Sequence, residues 1–317
     1  SLTGTVNDNG AVVRVTVNGN TYTATNNGNG TWALADNTIS PALAQGTYSV
    51  TVTGTDLAGN VGTDATSNEL TIDTAAPTVT INARTTNDTT PQLTGTVNDN
   101  SAVASVVVRV TVNGNTYTAT NNGNGTWTLA DNAISPALAQ GTYSVTVTGT
   151  DLAGNVGTDG TTNELTIDTA APVVTVNART TNDTTPQLTG TVSDNGGAVG
   201  VTIVVSVNSN NYPATNNGNG TWTLSDNTIA PALAQGTYSV TVTGTDAGGN
   251  VGTDATSNEL TIDTALPTVT IASRTTNDTT PSLSGSVADN SGAANVVVRV
   301  TVNGNTYTAT NNGNGTW

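Results

Sequence analysis

The chain has 317 residues, with 22 acidic side chains against six arginines and a formal net charge of −16 at pH 7. It contains no cysteine, histidine or lysine. This composition excludes a disulfide framework, thiol chemistry and the usual general bases of enzymes, so catalysis is not expected. It also excludes nucleic acid as a partner, because phosphates require lysine and arginine, and no apolar run approaches the roughly 20 residues of a membrane span.

The sequence repeats itself with a period of 95 residues. Tryptophans mark the same place in successive copies, at Trp32, Trp127, Trp222 and Trp317. A unit of this length has the usual size of a single domain. We predict four domains: residues 1–74, which lack a first strand, then 75–169 and 170–264, and finally 265–317, which stop at the tryptophan. We also expect the sequence to be a window from a longer array.

Within residues 75–169, apolar and polar residues alternate with period two, which predicts strands. In chain order the strand candidates are 78–81, 92–97, 106–112, 115–120, 126–131, 141–151 and 163–168. Asn113-Gly114 is the two-residue turn typical of a β-hairpin, and residues 121–125 are a further turn cluster. The nearest approach to a helical segment, 134–141, is short and contains a proline.

Seven short strands joined by turns are typical of an immunoglobulin-like β-sandwich. Tyr143 stands at the start of the sixth strand, two residues before Val145, which is the position of a tyrosine corner. The missing cysteines and the place of Trp127, on the fifth strand, depart from the antibody pattern. Pro213 stands where Thr118 stands one repeat earlier, and it predicts that this strand lies at a sheet edge.

Four segments together resemble a known family: TTPQLTGTV (89–97), NGTWTL (124–129), LAQGTYSVTVTGTDLAGN (138–155) and LTIDTAAP (165–172). They are similar to the bacterial Ig-like tandem repeats of giant surface adhesins, which form the extender regions of biofilm-associated, type I-secreted proteins of the RTX-adhesin type. The resemblance covers every unit. It implies all-β tandem sandwiches arranged end to end as a rod, at the bacterial cell surface, with calcium at the junctions.

Strand ends determine which acidic groups meet. In this topology the linker before a unit, the loop after its second strand and the loop after its sixth strand share one pole. The candidate metal ligands, junction by junction, are Asp73, Asp99 and Asp151; Asp168, Asp194 and Asp246; and Asp263 with Asp289. Calcium takes six to eight oxygen ligands, so we expect structural Ca²⁺ at these places.

A simpler interpretation of each aspartate stays open. Aspartate favours turns because its carboxylate bonds to nearby backbone, and the spacing matches neither an EF-hand nor a nonapeptide calcium repeat. We interpret six further acidic residues as solvated surface charges or turn residues. These are Asp36, Asp131, Asp226, Glu69, Glu164 and Glu259.

Three functions are compatible with this sequence. The first is a structural extender, a stalk that projects a distal adhesive domain and has the neighbouring repeats as its partners. The second is a self-assembling extracellular filament or biofilm-matrix protein, in which other copies of the chain are partners as well. The third is binding of sugar or ice through threonine rows such as TVTVTGT, although outward threonine is ordinary on a strand.

Overall fold

The computed structural model describes residues 1–64, 66–254 and 256–317. The chain divides into two compact units. The first consists of Ser1–Arg84 with Thr89–Thr166, and the second of Thr85–Asp88 with Ile167–Trp317. Both are built from short β-strands, as expected for a sequence rich in threonine and valine.

The strands of residues 1–74 are β1 (Leu2–Thr5), β2 (Val12–Val17), β3 (Asn20–Asn26), β4 (Thr31–Leu34), β5 (Gly46–Tyr48), β6 (Val50–Thr55), β7 (Val61–Asp64) and β8 (Leu70–Ile72). Those of residues 75–169 are β9 (Thr78–Val79), β10 (Arg84–Thr86), β11 (Leu93–Asn98), β12 (Val107–Val112), β13 (Asn115–Thr118), β14 (Thr120–Asn121), β15 (Thr126–Leu129), β16 (Gly141–Tyr143), β17 (Val145–Thr150), β18 (Val156–Thr158) and β19 (Leu165–Ile167).

The strands of residues 170–264 are β20 (Val173–Val174), β21 (Arg179–Thr181), β22 (Leu188–Ser193), β23 (Thr202–Val207), β24 (Asn210–Asn216), β25 (Thr221–Leu224), β26 (Gly236–Tyr238), β27 (Val240–Thr245), β28 (Val251–Asp254) and β29 (Leu260–Ile262). Residues 265–317 contain β30 (Thr268–Val269), β31 (Val287–Ala288), β32 (Arg299–Val302) and β33 (Asn305–Thr308). Single 3-10 turns occur at Val103–Ser105, Ala198–Gly200 and Ala293–Asn295.

In the first unit, residues 1–74 form a six-stranded sheet in the order β1-β4-β3-β2-β6-β7 and a separate β5-β8 pair. Residues 75–166 contain two four-stranded sheets, ordered β14-β15-β11-β9 and β13-β12-β17-β18. Strand β12 pairs with β17 in antiparallel fashion, so that Val110 lies opposite Val147. Both side chains are completely buried, as is Trp127 on β15.

The alternation predicted for residues 106–112 is confirmed. Val108, Val110 and Val112 are buried, and Arg109 between them is exposed. Burial of each valine contributes about 1.5–3 kcal/mol, which fixes the register because a slip by one residue would place Arg109 in the core.

In the second unit, residues 170–264 form a seven-stranded sheet, β20-β22-β25-β24-β23-β27-β28, and a three-stranded sheet, β21-β29-β26. Trp222, Val205 and Val242 from the larger sheet and Leu260 from the smaller one belong to one core. The β-sandwich predicted from the sequence is therefore confirmed. Residues 265–317 form the pairs β30-β31 and β32-β33, with a small core around Trp317.

The tyrosine corner is confirmed in three repeats. The Tyr143 hydroxyl donates a hydrogen bond of 2.9 Å to the carbonyl oxygen of Ala139, four residues upstream. Tyr48 and Tyr238 make the same bond within their own repeats. The hairpin turn at Asn113-Gly114 is also present, with both residues at positive φ.

Two sequence-based interpretations need correction. The strand that contains Pro213, β24, does not lie at a sheet edge, because it stands between β25 and β23. Pro213 is tolerated because β25 pairs only with Thr215 and Asn216, so the proline faces a single partner, Val204 on β23. The last strand of the repeat is also divided in two. Strand β28 pairs with β27, whereas β29 pairs with β26 in the other sheet.

Candidate metal centres

The structure brings together the first three predicted aspartates in the first unit. Asp73 follows β8, Asp99 follows β11 and Asp151 follows β17, and one carboxylate oxygen of each lies within 4.8 Å of the others. Asp151 is 7% exposed, and the other two are half-buried. We call these three residues the first acidic cluster.

Hydrogen bonds fix the loop that holds Asp151. Its Oδ1 accepts the Asn155 backbone N–H at 2.8 Å, and its Oδ2 accepts the Asn155 side-chain amide at 2.8 Å. The side-chain bond from Asn155 is the main reason why the pKa of Asp151 lies below its ordinary value. The same amide donates to the backbone carbonyl of Asp73 at 3.0 Å, so Asn155 connects the loop to the linker.

Asp99 has one satisfied oxygen and one unsatisfied oxygen. Its Oδ2 accepts the Ser101 hydroxyl at 2.6 Å and the backbone N–H groups of Ser101 and Ala102. The Ser101 hydroxyl is the principal cause of a lowered pKa at Asp99. Its Oδ1 is buried and has no hydrogen-bond partner among the described residues. A buried carboxylate oxygen without a donor is costly unless a cation or another group satisfies it.

The second acidic cluster consists of Asp168, Asp194 and Asp246, and it repeats this arrangement in the second unit. Their carboxylate oxygens again lie within 4.8 Å of one another. Asp168 and Asp246 are 6% and 8% exposed. Asp194 Oδ2 accepts the Gly196 N–H at 2.9 Å, and Asp194 Oδ1 is buried without a partner in the described part of the chain. Asn250 again donates to the linker, here to the Asp168 carbonyl at 2.7 Å.

Sequence reasoning missed two glycines at the second cluster. A Cβ added to Gly196 would lie 2.9 Å from Asp168 Oδ2, and one added to Gly248 would lie 3.0 Å from the Asp168 carbonyl oxygen. The corresponding residues at the first cluster are Ser101 and Ala153. The glycine at 248 is visible in the sequence, where DAGGN stands in place of the DLAGN of the preceding repeat. The need for a glycine there follows only from the close approach of the linker to this loop.

A short segment of the second unit also fixes its linker and loop. The Thr86 carbonyl accepts the Asp168 N–H at 2.9 Å, and the Asn87 N–H donates to the Gly248 carbonyl at 2.9 Å. These residues stand in the motif TTND, residues 85–88, and both contacts come from their backbone groups.

The third predicted pair, Asp263 and Asp289, forms an incomplete set. The pKa of Asp263 is lowered, chiefly by a hydrogen bond from the Asn290 side chain, and Ser291 also contributes. Asp263 therefore lies beside the loop that contains Asp289. Within the described ranges, no third acidic side chain joins this pair in a group of three.

The donor set of the two clusters fits a hard cation. It consists of carboxylate oxygens with three formal negative charges, and one buried oxygen in each cluster lacks a donor among the described residues. Calcium prefers ligands of this kind, and carbonyl and amide oxygens of the adjoining loops could complete its six to eight ligands.

The chain is an all-β protein of tandem immunoglobulin-like sandwiches with an acidic cluster that recurs from repeat to repeat. The bacterial Ig-like domain family matches residues 1–74, 79–169 and 174–264, and group 3 of the bacterial Ig-like domains matches residues 220–310. The chain belongs to the bacterial Ig-like domain family. No curated protein sequence matches it.

Several solved structures are similar to the chain. One, from work on host cell surface retention of a 1.5-MDa bacterial ice-binding adhesin, is 25% identical over 80% of this chain and 87% of that chain, with a TM-score of 0.32. A tetra-tandem repeat from the extending region of a large adhesion protein is 26% identical over 99% and 84%, with a TM-score of 0.32. Fibronectin(III)-like modules of Clostridium thermocellum CbhA are 13% identical over 58% and 93%, with a TM-score of 0.37.

In the described part of the chain, no helix has the length and apolar character needed to cross a membrane.

Proposed function

We propose that the chain is a structural extender of a bacterial extracellular adhesin, a stalk that projects a distal adhesive domain and binds calcium where its repeats join. Membership of the bacterial Ig-like family and the near-identity of successive repeats support a spacer, which needs reach and recurrence rather than distinct sites. The observation that carries the proposal is the recurrence of one three-carboxylate set, built from a linker and two loops of the following repeat, in both units.

Calcium would act on these clusters by reversing the sign of their electrostatic energy. Three carboxylates within 4.8 Å of one another repel when no cation is bound, and the repulsion is strongest where they are buried. A bound calcium turns each carboxylate into a ligand, so the linker and both loops are held together. The joint then resists bending, which is the property that a stalk requires.

The composition supports an extracellular, non-catalytic role. The chain has neither cysteine, histidine nor lysine, and its carboxylates recur identically from repeat to repeat. Sites that work outside the cell bind calcium with a Kd of about 10⁻⁴–10⁻³ M, which suits clusters of three carboxylates on short loops.

The test is a calcium titration of the full chain with a matched pair of variants. If the calcium concentration is ten times the Kd, each cluster stabilises its repeat by about 1.4 kcal/mol. That corresponds to a rise of roughly 6–11 °C in the melting temperature of one repeat. Small-angle scattering should show a longer and less variable chain in calcium than in chelator.

Asp168→Asn should remove the calcium effect of the second cluster and leave that of the first. Asp131→Asn is the control, because Asp131 is exposed and belongs to neither cluster. Equal melting curves and equal scattering lengths in calcium and chelator would refute the calcium junction. Sedimentation of the same samples separates a stalk from a filament, since a stalk stays monomeric at all concentrations.

A further inference from the structure

A second pair of buried carboxylates lies inside the repeat, where the chain passes from one sheet to the other. Strand β28 ends at Asp254 in the seven-stranded sheet, and β29 begins at Leu260 in the three-stranded sheet. Asp254 and Glu259 stand at the two ends of this crossover, and they are only 8% and 7% exposed. Interpreting Glu259 as a solvated surface charge is therefore wrong.

Three of the four oxygens of this pair have hydrogen-bond donors. Asp254 Oδ2 accepts the Val176 N–H at 2.7 Å, and Asp254 Oδ1 accepts the Thr256 N–H at 3.0 Å. Glu259 Oε2 accepts the Val240 N–H at 2.9 Å. The fourth oxygen, Glu259 Oε1, is buried and has no donor among the residues that the structure describes.

The first unit shows a similar arrangement, in which Asp159 is half-buried rather than buried. Glu164 is 6% exposed, against the expectation of a solvated charge, and its Oε2 accepts the Val145 N–H at 2.9 Å. Its Oε1 is again buried without a donor in the described residues. Asp159 Oδ2 accepts the Ile81 N–H at 3.0 Å, as Asp254 accepts that of the equivalent residue. Because the same glutamate oxygen, Oε1, is unsatisfied in both repeats, the feature belongs to the structure of the repeat and is not a local irregularity of one loop.

Protonation of Glu259 does not explain why its Oε1 has no hydrogen-bond donor among the described residues. Burial raises the pKa of Glu259, and the nearby charge of Asp254 raises it further, but hydrogen bonds from Val240 and Thr256 leave it below its ordinary value. The carboxylate is therefore charged at neutral pH, and a buried charge requires a compensating group. Arg179 lies beside Glu259, since its backbone N–H donates to the Glu259 carbonyl, but its guanidinium donates instead to the Gln187 carbonyl.

We propose that Asp254 with Glu259, and Asp159 with Glu164, each bind an oxygen-preferring divalent cation within the crossover of the repeat. This site is separate from the two acidic clusters and does not depend on their binding calcium. Its donors are two carboxylates, and calcium is the probe of choice because it accepts irregular sets of oxygen ligands.

The test uses a variant whose effect on the melting temperature should be opposite in chelator and in calcium. Glu259→Gln keeps the shape of the side chain, removes one of two like charges and supplies an N–H₂ donor near Asp254. In chelator the variant should melt at a higher temperature than the wild type. In about 1 mM calcium it should melt at a lower temperature than the wild type, and equilibrium dialysis should find one calcium fewer per chain.

Glu69→Gln is the matched control. Glu69 makes the same bond, from the Val50 N–H to its Oε2 at 2.8 Å, but its side chain is exposed. This variant should leave the bound-calcium count unchanged. If Glu259→Gln stabilises the chain equally with and without calcium and leaves the bound-calcium count unchanged, Glu259 binds no cation and the proposal is overturned.

A second measurement keeps the proposal testable if Glu259→Gln fails to fold, and it separates this site from the clusters. The triple variant Asp73→Asn/Asp168→Asn/Asp263→Asn removes one ligand from each acidic cluster and one from the incomplete pair of Asp263 and Asp289. Calcium that remains bound to this variant supports a crossover site, whereas complete loss of binding overturns it. If the cluster proposal were wrong, the result would differ, because the triple variant would bind as much calcium as the wild type.

Discussion

Replacing Gly157 by alanine is expected to lower the melting temperature of the repeat of residues 75–169 by a large amount. Gly157 lies in β18, against the segment that leads into β9. A Cβ added there would stand 1.6 Å from the Pro77 carbonyl oxygen. Ordinary contact begins at 3.4 Å, so the two segments would have to separate by about 1.8 Å, the difference between these two values.

The size of the stability loss follows from the hydrogen bonds that a separation of about 1.8 Å would break. The same segment is held by the bond from Trp127 Nε1 to the Thr80 carbonyl, 2.9 Å long, and by that from the Ile81 N–H to Asp159, 3.0 Å long. Losing these bonds costs about 2–4 kcal/mol, and overpacking adds about 1–3 kcal/mol. A loss of at least about 3 kcal/mol lowers the melting temperature of a domain of this size by roughly 12–24 °C.

Differential scanning calorimetry of the full chain measures this effect, and the repeats supply their own controls. Gly62 is the equivalent residue in the first repeat, and a Cβ added there meets no atom of the described residues within 4 Å. Gly62→Ala should therefore stay within about 0.5 kcal/mol of the wild type. Gly252→Ala should behave like Gly157→Ala, since its Cβ would lie 1.7 Å from the Pro172 oxygen. Equal shifts for Gly62→Ala and Gly157→Ala would refute the close approach of these strands.

Three further predictions concern single hydrogen bonds and charge. Tyr143→Phe removes the bond to Ala139 and should cost about 1 kcal/mol, seen as a lower denaturant midpoint; an unchanged midpoint would contradict it. Ser101→Gly should raise the pKa of Asp99, because the Ser101 hydroxyl is the main cause of its lowering; carboxyl NMR titration measures this, and a constant pKa would contradict it. In the folded chain the pKa values of Asp99 and Asp151 lie below the ordinary value of 3.8. The stability that these two carboxylates contribute without metal is therefore present above pH 3.8 and is lost as the pH falls through their folded pKa values. Acid denaturation in chelator measures this loss, and denaturation that begins near pH 6 would contradict it.

The parts of the structure that the sequence predicts are those set by local chemistry. Period-two alternation identified β12 and its buried face, and the spacing of Tyr143 before Val145 identified the tyrosine corner. Strand order in a sandwich was also sufficient to say which loops share a pole, and the aspartates expected there do lie together.

The parts that the sequence does not predict depend on distant segments. Glu164 stands in a polar stretch and resembles a solvated residue, but the crossover between sheets buries it. Gly157 is one of many glycines, and only the approach of Pro77 makes its missing side chain necessary. The division of the last strand into β28 and β29 likewise follows from packing of the two sheets, because each half satisfies its backbone groups in a different sheet.

The loop TGTDLAGNVGTD, residues 148–159, connects to the linker segment at three places, and this limits what calcium can do there. Asp151 faces Asp73 in the first cluster, the Asn155 amide donates to the Asp73 carbonyl, and Asp159 accepts the Ile81 N–H. Two of these connections are hydrogen bonds that need no cation, so the path of the loop is fixed in advance. Calcium would therefore remove charge repulsion within a preformed site rather than order a flexible one. Calcium binding should therefore raise the stiffness and the melting temperature of the joint and leave the strand content of the repeat unchanged.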